Sequence, residues 1–222
     1  MKKLLLLALL PITAIAAPIK GINETYQDWD LVCDNTGTCR MAGYQSEELD
    51  KPTSILFTRK AGDSETVSAE LSFYNFYEND KEIPIAKTTE IFLDGQSLGT
   101  VVNHNDSAST STLSQAQTVA LLNALKKSSK IEIVSGQFKG EVSDKGAAAA
   151  MLKMDEFQQR LNKPSALMRK GEDKRVSLPP QPAPKIQVVK IPNRETYSIE
   201  RGSAKFDKVM ACLLYTSPSP RD

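Results

Sequence analysis

The sequence predicts an α+β protein in which an antiparallel, disulfide-stapled β-sheet is covered by two helices. A proline-rich linker and a truncated second module are expected to follow. Three observations carry this prediction. Apolar and polar residues alternate with period two through much of the first half of the chain, and two later stretches have helical spacing. Two cysteines, Cys33 and Cys39, flank a turn-forming segment.

The N-terminus has the three regions of a secretory signal peptide. Two lysines precede an apolar run from Leu4 to Leu10, and Ala14 and Ala16 suit the small-residue positions of a cleavage site. We therefore predict a signal peptide at residues 1–16. The apolar run is shorter than the roughly 20 residues of a membrane-spanning helix. The mature chain is expected to be periplasmic, or alternatively secreted, with no transmembrane segment.

The first strands are predicted from alternation. Trp29 and Leu31 alternate with aspartates just before Cys33, and residues 39–44 return as the second arm of a hairpin. Asp94-Gly95 marks a further tight turn. Other β-prone stretches lie at 54–58, 67–77, 88–93 and 97–102.

The two cysteines are predicted to form a disulfide. Cys33 and Cys39 face each other across the hairpin, and an exported protein meets an oxidising compartment. Closing so short a loop stabilises a fold by about 2 kcal/mol in the chain-entropy view. The alternatives are weaker. A zinc site uses four ligands and His104 is the only histidine, while a redox pair usually has two intervening residues.

Helical spacing begins after the predicted strands. The segment 112–115 fits a capping box, and Val119, Leu122 and Leu125 follow on one face. The Lys126-Lys127 pair suits the negative end of the helix dipole.

A hairpin at 130–134 and 138–142 precedes the second predicted helix. Ser143 is its predicted cap and Pro164 its predicted stop. Its apolar positions form one stripe, which we interpret as core: Ala147, Ala150, Met151, Met154, Phe157 and Leu161.

These elements are expected to form one exported domain at residues 17–172. Five prolines lie between Val176 and Pro192, so residues 173–192 are predicted to be an extended linker. Residues 193–211 are interpreted as the start of a second module.

The final segment, residues 212–222, resembles sequencing-adapter read-through. One DNA string, similar to a library-preparation transposase end and adapter, encodes all of it. Such scars are excluded from fold reasoning. We therefore expect native sequence to stop near Ala211 and the natural protein to be longer, and Cys212 is set aside from the cysteine pairing.

Charge is balanced overall but unevenly distributed. The chain has 28 basic and 27 acidic residues, whereas the segment from Arg160 to Lys208 has 12 basic and 5 acidic ones. No aromatic platform accompanies this basic segment, so a nucleic-acid partner is not expected. Solvated faces and a basic linker are the favoured explanation, and contact of the basic segment with anionic lipid or with the acidic segment 17–100 is the alternative.

No catalytic, cofactor or metal site is predicted. His104 lies in a polar stretch without a nucleophile-elbow pattern, and the acidic residues Glu47, Glu48 and Asp50 lack the spacing of a calcium loop. No glycine-rich phosphate loop is found.

Three polar residues near the end of the second helix are a candidate polar anchor. Asp155 and Gln158 share a helix face, while Arg160 points elsewhere and can satisfy carbonyls at the helix end. The anchor can hold a ligand, or it can hold the helix end to the sheet or to the 165–171 loop. The second reading is favoured, because polar residues without a metal or nucleophile rarely identify a site.

Four blocks of sequence carry a family resemblance. They are the stretch 29–45 around the two cysteines, Leu93-Asp94-Gly95, residues 146–160, and Ser165-Ala166-Leu167 with Gly171. In order and spacing these blocks resemble the domain-of-unknown-function 1176 family of Gram-negative envelope proteins. A fainter resemblance is to the invasion-associated locus B family. The first resemblance implies a periplasmic or secreted protein and implies no reaction.

The sequence thus favours a non-enzymatic binding or interaction protein of the envelope, whose partner is an unidentified envelope protein or ligand. One alternative is an envelope hydrolase with catalytic residues in a missing C-terminal half. Another is a secreted host-interaction factor.

Overall fold

The computed structural model describes residues 19–46, 52–74, 76–78, 81–104 and 108–185. The predicted signal peptide, second module and adapter-like tail lie outside the described residues. Twelve strands and two helices occur within the described ones. In chain order they are β1 (Ile22–Tyr26), β2 (Trp29–Cys33), β3 (Cys39–Tyr44), β4 (Thr53–Arg59), β5 (Val67–Tyr74), β6 (Phe76–Glu78), β7 (Lys81–Ile83), β8 (Thr88–Leu93), β9 (Gln96–Val102), β10 (Ala108–Thr112), α1 (Gln115–Ala124), β11 (Ile131–Ser135), β12 (Phe138–Val142) and α2 (Ala147–Phe157).

The strands form two main antiparallel sheets rather than the single predicted sheet. The six-stranded sheet has the order β1-β2-β3-β4-β5-β10, and the four-stranded sheet has the order β12-β11-β8-β9. Strands β6 and β7 pair separately. The α+β class, the antiparallel pairing and the two helices are confirmed, and Cys33 and Cys39 form the predicted disulfide, with an S–S distance of 2.06 Å.

Alternate residues of the large sheet build the core. Trp29 of β2 stacks on Phe57 of β4, and Phe73 of β5 stacks on Phe138 of β12, so the second contact joins the two sheets. Gly43 lies under the Trp29 ring, where any Cβ would overlap the indole carbons. The indole N–H donates to the Ser143 carbonyl oxygen at 2.9 Å, which pairs this buried donor.

The two helices begin at different residues from those predicted. Helix α1 is capped by Ser114, which forms a capping box with Gln117, because Thr112 is held in β10 opposite Glu70. Helix α2 is capped by Gly146 at φ 95°. Ser143 instead donates to Asp28 and accepts from the Lys145 N–H.

Each helix packs on a different part of the large sheet. Helix α2 lies against β1, β2 and β3, and α1 lies against β5. Helix α2 ends at Phe157, before the predicted stop at Pro164. No helix among the described residues is both long and apolar enough to span a bilayer.

The described residues up to Ala183 belong to one compact unit, which includes the first part of the predicted linker. There the Leu178 N–H donates to the Gln158 carbonyl at 3.1 Å, and the Leu178 carbonyl accepts from the Gly62 N–H at 3.0 Å. The Gln181 N–H donates to the Thr36 carbonyl at 3.0 Å. These bonds attach an extended segment to the domain.

Candidate ligand-binding cleft

Strand β4 places an arginine on its buried face. Every second residue of the strand faces inward, and these residues are Thr53, Ile55, Phe57 and Arg59. The buried face of the strand therefore ends at a charged residue. Arg59 is 1% exposed. A buried charge is costly unless it is paired and hydrogen-bonded. Sequence reasoning missed this residue, although its register with Ile55 and Phe57 was a usable signal.

Helix α2 supplies the counter-charge. Asp155 lies one helical turn after Met151, on the same buried stripe, and is fully buried. Its Oδ1 accepts from Arg59 Nη2 at 2.8 Å. Its Oδ2 accepts the backbone N–H groups of Leu167 and Met168 at 2.7 and 2.9 Å. One carboxylate thereby joins helix, strand and the following loop.

Gln158 continues this network at the end of α2. Its Oε1 accepts from Arg59 Nε at 2.6 Å, and its Nε2 donates to the carbonyls of Gly37 and Arg59 at 2.8 and 2.9 Å. Gly37 belongs to the turn between the two cysteines, so the amide connects the disulfide hairpin to β4. Every polar atom of the buried Gln158 side chain is paired.

Arg160 reaches a different segment from the one its sequence position suggested. Nη1 donates to the Glu65 carbonyl at 3.1 Å, and Nη2 donates to the Gly62 carbonyl. These acceptors lie in the β4–β5 connection rather than at the end of the helix. Arg160 is 1% exposed. The structure thus brings Asp155, Gln158 and Arg160 into one cluster with Arg59.

The cluster contains more buried positive than negative charge. Asp155 forms an ion pair with Arg59, whereas Arg160 bonds only to backbone carbonyls and is attracted to Asp155 through space. Burial lowers the pKa of Arg59 to about 10, against the opposing effect of Asp155, so the guanidinium remains cationic at neutral pH. Burial also lowers the pKa of Arg160, against Asp155, Asp63 and Glu65.

Two guanidinium nitrogens of the cluster are left without a partner. Among the described residues, Arg59 Nη1 and Arg160 Nε are buried and donate no hydrogen bond. Unpaired buried donors are rare in folded proteins and each costs about 1–3 kcal/mol. Such donors are sites where a bound group can supply the missing acceptor.

Both arginines line a cleft of about 310 Å³. Its walls are the β4–β5 connection, one face of α1 and the loop 164–170. The apolar lining includes Val67, Val119 and Leu122, and the basic lining also includes Lys126 and Lys170. Burial and the neighbouring Lys170 charge lower the pKa of Lys126, against the opposing effect of Asp155.

The other residues considered from the sequence lie apart from this cleft. His104 is exposed just after β9. The acidic residues Glu47, Glu48 and Asp50 lie outside the described residues. Within the described part of the chain, no group of three or more histidine, cysteine, aspartate or glutamate side chains is placed to hold a metal ion.

Comparison with known proteins gives two matches. A family model described as "Protein of unknown function (DUF1176)" matches residues 23–212. No curated protein matches the chain. Among solved structures, invasion associated protein B from Bartonella henselae covers 62% of this chain and 99% of its own, at 16% identity and a TM-score of 0.40. The fainter sequence resemblance was to the family of that protein. A match this distant carries no inference about fold or function.

Proposed function

The chain belongs to the DUF1176 family, whose function is unknown, and we propose that its first domain is an exported, non-enzymatic binding module that takes a small ligand in the Arg59 cleft. The observation that carries this proposal is the arginine itself. Arg59 is fixed by Asp155 and Gln158 through two of its nitrogens, while Nη1 has no partner among the described residues. A pre-positioned donor beside an apolar wall is typical of small-molecule sites.

The hydrogen bonds of the Asp155 carboxylate favour a binding function over a catalytic one. Both oxygens of Asp155 are already engaged, one by Arg59 and the other by two backbone N–H groups. A general acid or base must exchange a proton with a substrate, which requires a free oxygen within hydrogen-bond reach. Asp155 therefore positions Arg59, and because it is fully buried and does not line the cleft, it presents no oxygen to a ligand bound there.

Export is supported by two independent features. The N-terminal segment has the charge and apolar pattern of a signal peptide. The disulfide is of the kind that persists in oxidising compartments. Periplasmic residence is therefore part of the proposal. Cell fractionation that finds the oxidised chain only in the cytoplasm would contradict it.

The test is a binding screen read out on individual backbone amides. The purified chain is titrated with a small-metabolite library that contains neutral, cationic and anionic members, and amide chemical shifts are recorded. The proposal expects at least one member to shift amides in residues 64–67, 119–126 and 165–170. The absence of any such cleft response would overturn it.

A matched pair of helix variants makes the screen specific. Val119 is 46% exposed and lines the cleft, so Val119→Trp is expected to fill the space and abolish the response. Ala116 is also exposed on α1 but does not line the cleft. Ala116→Trp should leave the response unchanged. Equal responses from both variants would show that the ligand binds elsewhere.

A further inference from the structure

The chemistry of the cleft also indicates what kind of ligand it takes. Resting on the proposed binding function, we infer that the ligand is a small monocarboxylate with an apolar body, whose carboxylate lies at Arg59 and Arg160 and whose body lies against Val119 and Leu122. Three observations support this inference.

Charge is the first observation. Two basic side chains that line the cleft, Arg59 and Arg160, are almost completely buried, at 1% exposure each. Asp155 is the only buried carboxylate among the described residues. A bound anion would reduce this excess in a place where screening by water is weak.

Hydrogen-bond geometry is the second observation. The unpaired donors are nitrogens of guanidinium groups, which suit the two oxygens of a carboxylate better than a neutral acceptor. Lys126, just after α1, and Lys170, in the loop 164–170, line the same cleft. Their mutual repulsion would be relieved by an anion between them and the arginines.

The composition of the remaining walls is the third observation. Val67, Val119 and Leu122 give the cleft an apolar side, which favours a hydrocarbon body. Asp63 and Glu65 also line the cleft. Asp63 accepts from the Ser177 N–H at 3.1 Å, and this bonding lowers its pKa, so it stays charged. The two acidic groups would repel a second negative charge, which favours a single carboxylate over a polyanion.

The test compares three probes on the same protein by calorimetric titration. Hexanoate carries both the charge and the apolar body, hexanamide keeps the body without the charge, and inorganic phosphate keeps charge without the body. Hexanoate is expected to bind about tenfold more tightly than hexanamide, which lacks the charge-assisted interaction. It is also expected to bind about tenfold more tightly than phosphate, which lacks the buried alkyl chain. Hexanamide binding as tightly as hexanoate, or phosphate binding as tightly, would overturn the inference.

Lysine variants test the site without disturbing the buried cluster. Arg59 also pairs with Asp155, so its removal threatens folding. Within the described part of the chain, the Lys126 ammonium bonds only to Asn123, and the Lys170 ammonium makes no hydrogen bond or ion pair. The double variant K126A/K170A is expected to weaken hexanoate binding about tenfold. Lys139→Ala removes an exposed charge on β12, outside the cleft, and is expected to leave the affinity for hexanoate unchanged. Equal loss in both variants would contradict the proposed site.

The outcomes separate this inference from the proposed function. If hexanoate fails but a neutral or cationic library member shifts the cleft amides, the carboxylate inference is overturned and the binding function stands. If no library member reaches the cleft, both are overturned.

Discussion

The inward-facing side chains of strand β4 lie in two environments of opposite character. Ile55 and Phe57 face an apolar core with Trp29, where any well-shaped hydrocarbon contributes stability. One step further, Arg59 faces Asp155 and Gln158, where each donor needs one particular acceptor. The comparison shows that the apolar end holds the fold, while the polar end fixes the position of one guanidinium and leaves one of its nitrogens unpaired.

The largest expected effect is at the polar end. Asp155→Ala leaves Arg59 buried without its counter-charge and removes two backbone bonds, so we expect the free energy of unfolding to fall by about 3–5 kcal/mol. Chemical denaturation measures this. The control is Glu156→Ala on the exposed side of the same helix, expected to cost less than about 0.5 kcal/mol. A similar loss in both variants would contradict the role assigned to Asp155.

The disulfide comes next in size. Replacing both Cys33 and Cys39 by alanine is expected to lower the free energy of unfolding by about 2 kcal/mol, because the loop they close is short. Reductant should produce a similar loss in the unaltered chain and none in the variant. If the variant is as stable as the oxidised chain, the disulfide contributes no stability and the prediction is contradicted.

A small change at the apolar end sharpens the contrast. Ile55→Val removes one buried methylene and is expected to cost about 0.5–1.5 kcal/mol in denaturation. The cleft should still bind its ligand with unchanged affinity. A loss as large as that of Asp155→Ala would mean that the two ends of β4 do not differ in tolerance.

The smallest effect is an acid dependence in the disulfide turn. Burial raises the pKa of Asp34, but hydrogen bonds from Thr36, Arg40 and Thr38 lower it further than burial raises it. A carboxylate with a depressed folded pKa contributes stability that is present above its unfolded pKa of about 3.9 and is lost as pH falls through the folded value. Asp34→Asn should therefore reduce the loss of stability below about pH 4. A denaturation series that shows the same acid slope in both proteins would contradict this.

The sequence and the structure agree where the signal is local. The hairpin closed by Cys33 and Cys39 follows from alternation and a turn, and its register is found as expected. The stripe of α2 from Ala147 to Met154 is buried as its spacing predicted. Helix starts were less accurate, because Thr112 satisfies a capping pattern but is held by strand pairing with β5.

The cleft could not be predicted in the same way. Arg59 and Asp155 are 96 residues apart, and only the packing of α2 on the sheet brings them together. Asp155, Gln158 and Arg160 were recognised as polar residues of interest, whereas their partner was not. The sequence signal for that partner is the period-two pattern of β4, in which Arg59 follows Ile55 and Phe57 on the inward face.

The most direct test observes the Arg59 guanidinium itself. Nitrogen-15 NMR of the arginine side chains is recorded while hexanoate is added to the purified chain. We predict that the Arg59 Nη resonances shift and sharpen at saturation as Nη1 gains an acceptor, and that the Arg160 Nε resonance responds alongside. Unchanged Arg59 and Arg160 side-chain signals at a hexanoate concentration that saturates binding would contradict it.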